Sequence, residues 1–227
     1  MIIYLTRHGQ PAVDQMKPGS DYEFPDGDYL LTALGQEQAA YLGKHLKSRN
    51  FSGKIISSPY ARTMETASIV ADICGLTVFT EARFQEKRFA PGPKCPGMTL
   101  EELKERYPNV DPGATLPSPW ILPQGPEETV EEVKARVYPF LDELIAAPPA
   151  PEVLLVGHGA SIGATVRYVL DKTGFTGDLG YNWNASLSCF EVDEKGKLTV
   201  REFHRIDFMP FEKVTSNKRV YGDPACV

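Results

Sequence analysis

Ile2-Ile3-Tyr4-Leu5-Thr6-Arg7-His8-Gly9 is a short run of apolar and β-branched residues that ends in a cation, an imidazole and a glycine. Such a run reads as a strand buried on both faces. A second one, Val153-Leu154-Leu155-Val156, runs into Gly157-His158-Gly159. Two buried strands that each deliver a histidine just past the carboxyl end set the frame for the rest of the chain.

Between and beyond them, strand and helix patterns alternate. Residues 9–30 read as a long loop. Thr32 caps a helix carrying Leu34, Ala39, Leu42 and Leu46 at helical spacing. Lys54 to Ser57 reads as a strand, and Ser58-Pro59 as an N-cap with proline at the first helical position. The helix that follows lines up Ala67, Val70, Ala71 and Cys74 and ends at Gly75, before a third strand at Leu76 to Phe79.

Residues 88–126 are rich in proline, show little strand signal and are expected to form an insert over one end of the sheet. Thr99 with Glu102, and Thr129 with Glu132, form capping boxes. The second opens a helix with Val130, Val133, Val137, Leu141 and Leu144 on one face and a kink expected at Pro139. After Val156 comes a helix with Ile162, Val166, Val169 and Leu170 inward, then a hairpin of residues 186–192 and 197–204.

The expected fold is a single α/β domain over residues 1–227. It has a mostly parallel central sheet, helices on both faces, one antiparallel strand and the cap-like insert over the carboxyl ends of the strands. The C-terminal tail, with Phe208, Phe211, Lys213, Lys218, Arg219 and Tyr221, does not say whether it covers the site, joins a dimer or is mobile; a homodimer is left open.

The chain of 227 residues carries a formal net charge of −6. That argues against nucleic acid or an anionic membrane as the main partner, but not against a small anion in a locally cationic pocket. The four cysteines form no CxxC pair, and no apolar run approaches a membrane span. A cytoplasmic protein with reduced thiols is expected.

Arg7, His8, Arg62, Glu86 and His158 all fall at or just past the carboxyl ends of expected strands, where open α/β sheets bind ligands. Two guanidinium forks and two imidazoles suit a phosphoryl group, and nearby helix N-termini add N–H donors. His8 is the candidate nucleophile. It must offer a neutral nitrogen while a hydrogen bond, with Gly9 backbone as a candidate acceptor, holds the other. His158 would stabilise charge on the transferring group, and Glu86 would act as general acid and then base, a role that calls for a partly buried carboxyl.

Each residue also has a plainer reading. His8 could be a satisfied core histidine, Arg62 a surface side chain, His158 a solvent-facing helix start, and Glu86 part of a solvated charged stretch. His45 and His204 read as structural or solvated. A metal site is not expected, because His8 and His158 lack HxH or HxxE partners and two arginines beside them would repel a cation. No cofactor is called for.

Taken together, Leu5-Thr6-Arg7-His8-Gly9-Gln10, Leu31-Thr32-Ala33-Leu34-Gly35 through Gln38-Ala39, Ser57-Ser58-Pro59-Tyr60-Ala61-Arg62-Thr63-Met64-Glu65-Thr66-Ala67 and Val156-Gly157-His158-Gly159 resemble, in family order, the histidine phosphatase (phosphoglycerate mutase-like) superfamily. The resemblance implies phosphorylation of His8, with Arg7, Arg62 and His158 holding the phosphate and Glu86 as proton donor. It implies a phosphatase acting on a small phosphorylated substrate. The rivals are mutase-type phosphoryl transfer and a non-catalytic module that binds a phosphorylated ligand. Lys87-Arg88-Phe89-Ala90-Pro91-Gly92 departs from the family pattern, as do Pro11 and Asp14, the latter standing where many members have asparagine.

Overall fold

The computed structural model describes residues 1–12, 28–88, 97–111 and 127–216. Seven strands form one sheet: β1 (Ile2–Arg7), β2 (Lys54–Ser57), β3 (Val78–Thr80), β4 (Val110–Asp111), β5 (Glu152–Gly157), β6 (Leu187–Val192) and β7 (Leu198–Arg205). Their order is β4-β3-β2-β5-β1-β6-β7. The pairings from β4 through β1 are parallel, and β6 alone runs against both its neighbours.

Alternation along the central strands sorts their side chains into two cores. Ile3, Leu5, Val153 and Leu155 face α4 (Val130–Ala146) and α5 (Gly159–Thr173), against Val137, Phe140, Leu141, Ile162 and Val169. Tyr4, Leu154 and Val156 face the other way, against Leu42 and Leu46 of α1 (Ala33–Ser48) and Met64, Val70 and Ala71 of α2 (Ala61–Cys74). Strands covered on both faces need no polar alternation, which is why they read as continuous apolar runs.

Local signals predict the helix ends well where the partners are near in sequence. Thr32 Oγ1 accepts from Gly35 N, both capping boxes form, and Gly75 closes α2 at φ 72°. Pro139 stands inside an unbroken α4. Val130 departs from expectation: it is exposed, because Val133 is the first residue of α4 to reach the core.

Ser58-Pro59 does not open α2; the helix starts at Ala61. Of the insert expected at 88–126, residues 97–111 are described. They add α3 (Leu100–Arg106) and β4, which extends the sheet beside β3 and is a strand the composition did not announce. Residues 89–96 and 112–126 lie outside the described residues, as does Asp14. No described helix is long and apolar enough to cross a membrane.

One close approach sets the entrance to the site. The loop after His8 lies directly on the first turn of α1, where Thr32 N donates to Gln10 O (2.9 Å). A Cβ on Gly35 would stand 2.3 Å from Gln10 O, and one on Gly9 would stand 2.4 Å from Gly35 O. Both contacts are backbone on backbone, so neither can yield cheaply. Gly35→Ala should therefore lower unfolding stability by about 1–3 kcal/mol, seen as a lower urea midpoint. An unchanged midpoint would mean that the two segments do not touch.

Candidate active site

β2, β5 and β1 lie side by side, and Thr6, Val156 and Ser57 align across them. The residues just past these ends therefore converge. His8 N donates to Gly157 O (3.1 Å) and Ser58 N to Val156 O (3.1 Å), which carries the ladder one step beyond the strands. The rings of His8 and His158 come to 5.3 Å between centroids, tilted at 59°. Both are buried, as are Arg7 and Arg62.

The tautomer of His8 follows from its partner. Nδ1 lies 2.7 Å from Gly9 O, and a carbonyl only accepts, so Nδ1 carries the proton and Nε2 is left with its lone pair. Burial first, then the positive charges of Arg62 and Arg7, hold His8 well below the usual histidine value; the Gly9 hydrogen bond acts the other way. The ring is neutral at pH 7. Its backbone is pinned as well, since Asn184 Nδ2 donates to His8 O (3.1 Å) and Gly9 N donates to Thr66 Oγ1 (3.0 Å).

His158 is held well below its usual value by burial, then by Arg62, His8 and Arg7. Its Nε2 lies 2.9 Å from Ser58 Oγ. Its Nδ1 is buried and has no hydrogen-bond partner among the described residues. Tyr60 packs edge-on against the His158 ring at 5.0 Å, and the Arg62 guanidinium lies over the Tyr60 ring at 4.7 Å. Arg7 Nη1 donates to Asn182 O (3.1 Å) and Ser216 Oγ (3.3 Å), so the segment after the hairpin returns to the site.

Glu86 follows a 3-10 turn at Ala82–Phe84 beyond β3. It is half-buried, and its Oε1 accepts from Lys87 N (2.8 Å) and from Ala160 N (3.1 Å) in the first turn of α5. It thus shares the N-terminus of the helix that His158 caps. The other two histidines sit elsewhere. His45 stacks on Phe208 at 4.7 Å; His204 is partly buried near Ser186 and Ser188 and is pushed down to about 4, by burial and then Arg7.

Several residues of the site escaped the sequence. Ser58 is engaged by His158 and stands two residues before Tyr60, the N-cap of α2. The cap comes instead from Asp28, whose Oδ1 accepts from Ala61 N at 2.6 Å. Gln38 is fully buried; its Oε1 accepts from Gln10 N (2.8 Å) and its Nε2 donates to Lys213 O (2.6 Å) and Thr215 Oγ1 (2.8 Å). Ser58 carried a signal in its place just past β2, and Gln38 in the motif that runs from Leu31 through Gln38-Ala39; Asp28 carried none. The arrangement as a whole gathers two guanidinium groups and two neutral imidazoles in a buried cationic cluster, chemistry suited to an oxyanion.

Burial pushes the Asp28 carboxyl up to about 6, against the Ala61 N–H and the charges of Arg62 and Arg106. A folded value above the unfolded one of 3.8 means that its contribution to stability is present at acid pH and is lost as pH rises through about 6. The ionised form costs about 3 kcal/mol at neutral pH. Asp28→Asn, which keeps the acceptor, should match the wild type near pH 4 and exceed its stability at pH 7.5 in urea unfolding. An equal deficit at both pH values would contradict the buried charge.

The family model for the histidine phosphatase superfamily (branch 1) matches residues 3–204. A probable phosphoglycerate mutase, GpmB, of Yersinia pestis (strain Pestoides F) is 29% identical over 172 residues, 74% of each chain. Among solved structures, the mycobacterial glucosyl-3-phosphoglycerate phosphatase complexed with VO3 is 24% identical, with a TM-score of 0.60 over 90% of this chain and 99% of that one. The ecdysone phosphate phosphatase from Bombix mori, in complex with tungstate, is 17% identical, with a TM-score of 0.63 over 88% and 92%. The buried histidine pair at the strand ends thus lies within a match spanning most of the sequence, and the chain belongs to the histidine phosphatase superfamily.

Proposed function

We propose that this protein is a phosphatase that hydrolyses a small phosphorylated substrate through a phosphohistidine on His8. The observation that carries the reading is the buried, neutral His8 ring, with Nδ1 spent on Gly9 O and Nε2 available beside His158 and two arginines. Nε2 attacks phosphorus as the ester P–O bond breaks, and the leaving oxygen takes a proton from Glu86. Water then gives a proton to the Glu86 carboxylate and attacks the phosphorus. The P–N bond breaks, its electron pair returns to Nε2, and inorganic phosphate leaves.

Arg7, Arg62 and His158 hold the equatorial oxygens throughout, where charge concentrates. Two fold neighbours that are phosphatases were solved with VO3 and with tungstate, oxyanions of the kind this recess would take. The acidic net charge and the free thiols of Cys74 and Cys189 support a cytoplasmic setting.

The 29% identity to a probable phosphoglycerate mutase favours a second reading, in which the phosphoryl group returns to the product instead of passing to water. Incubation with 3-phosphoglycerate and a bisphosphate primer separates the two. Release of inorganic phosphate is expected; isomerisation without release would establish the mutase.

With p-nitrophenyl phosphate, His8→Ala should abolish both turnover and acid-labile phosphate on the protein. Arg62→Ala should lose about 10²–10³-fold in kcat. Glu86→Gln should lose about 10²–10⁴-fold on esters with a basic leaving group. Turnover by His8→Ala equal to that of the wild type would remove the nucleophile from the scheme.

A further inference from the structure

Glu86 lies on a stretch with no regular structure of its own, between the 3-10 turn and Arg88. A side chain from α4 holds that stretch in place. Arg136 Nη1 donates to the carbonyls of Arg83 (2.6 Å) and Gln85 (3.0 Å), and Nη2 donates to the carbonyl of Glu86 itself (3.2 Å). Its Nε and Nη2 meet the two carboxylate oxygens of Glu128 at 2.8 and 3.1 Å. All five N–H donors of the guanidinium are thereby used.

Glu128 is itself buried. Its Oε2 accepts from Arg88 N (3.1 Å), and its own N–H donates to Arg88 O (2.9 Å). Beside this pairing, Lys87 Nζ reaches Glu127 at 2.5 Å. Burial pushes the Glu128 carboxyl up, but the hydrogen bonds and charge of Arg136, with Arg88, outweigh it and keep the group ionised.

A buried ion pair of this kind offers little stability over apolar side chains of the same size; its best-attested use is to fix a conformation. The conformation fixed here belongs to the three carbonyls leading into Glu86 and to the point where the chain leaves at Arg88 and returns at Glu127. Beyond the 3-10 turn, no helix or sheet ladder among the described residues holds the backbone from Glu86 to Arg88.

We infer that Arg136 and Glu128 are positioning residues for the proton donor: their bidentate pair, through the carbonyls of Arg83, Gln85 and Glu86, sets where the Glu86 carboxyl stands against the leaving oxygen. The inference rests on Glu86 acting as the acid in the proposed hydrolysis. It makes the acid a property of a span from residue 83 to residue 136. It also ties the start and end of the intervening segment to the reacting group. A displacement of about 1 Å in such a group costs about 10²-fold in rate.

The test is a series of aryl phosphates with phenols of rising basicity, run on wild type, Glu86→Gln, Arg136→Lys, Glu128→Gln and the double variant Glu86→Gln/Arg136→Lys. Acid-labile phosphate on His8 and the thermal midpoint are followed in each. A lysine has one nitrogen and cannot span three carbonyls and a carboxylate, while Glu128→Gln keeps the shape and removes the charge.

Both positioning variants should keep labelling His8, lose little on nitrophenyl phosphate, and lose about 10²-fold on the most basic phenols. That steepens the dependence on the leaving group, as Glu86→Gln does, and the double variant should be no steeper than Glu86→Gln alone. A uniform loss across the series, or a double variant in which the two losses multiply, would overturn the inference while leaving Glu86 its role. A dependence that Glu86→Gln itself does not change would remove Glu86 as the acid, and the inference with it. Loss of His8 labelling in the wild type would instead refute the phosphohistidine reading.

Discussion

Everything at the strand ends depends on keeping two imidazoles neutral in a buried recess already occupied by two guanidinium groups. Desolvation and like charge both act against protonation of His8 and His158, and among the described residues no carboxylate hydrogen-bonds either ring. The cluster therefore combines two guanidinium cations that cannot deprotonate with two uncharged imidazoles, and under the proposed hydrolysis a phosphate dianion would meet those cations together with a nitrogen whose lone pair is not already occupied by a proton.

The scaffold supplies that condition by geometry. Parallel pairing of β1, β5 and β2 brings three strand ends into register, so the residues one step beyond them are neighbours without loops having to search. Backbone contacts then lock the orientation: Gly9 O on the His8 ring, Asn184 on the His8 carbonyl, and Gln38 tying residue 10 to the segment at 213–215. The closeness of Gly9 and Gly35 is part of the same demand, because the loop after His8 must lie flat on α1 for the ring to point across at His158.

Side chains at this end of the sheet are shared between folding and chemistry, and the conflicts are resolved by distant partners. Ser58, expected as a helix cap, is held by His158, and Asp28 caps α2 from 33 positions upstream at an electrostatic cost. Glu86 has no element of its own, and an arginine from α4 ties down its backbone. Features that look like local imperfections, a proline-containing turn without its own cap and an irregular stretch after a short strand, are thus held by partners distant in sequence.

The sequence by itself marked six of the seven strands, most helix ends and the five candidate residues that the fold brings to neighbouring strand ends. Those depend on hydrophobic period, capping pairs three residues apart and position at a strand's end, all written within a few residues of one another. The acceptor for the His8 ring was a candidate at Gly9 or nearby, and the structure selects Gly9 O. Tertiary structure alone decided that β4 joins the sheet, that Val130 faces outward, that Asp28 rather than Ser58 caps α2, and that Gln38, Asn184 and Ser216 brace the recess. Each of these is a contact between residues tens to hundreds of positions apart. Its free energy comes from burial and hydrogen bonding that exist only once the sheet has assembled, and no local pattern records it.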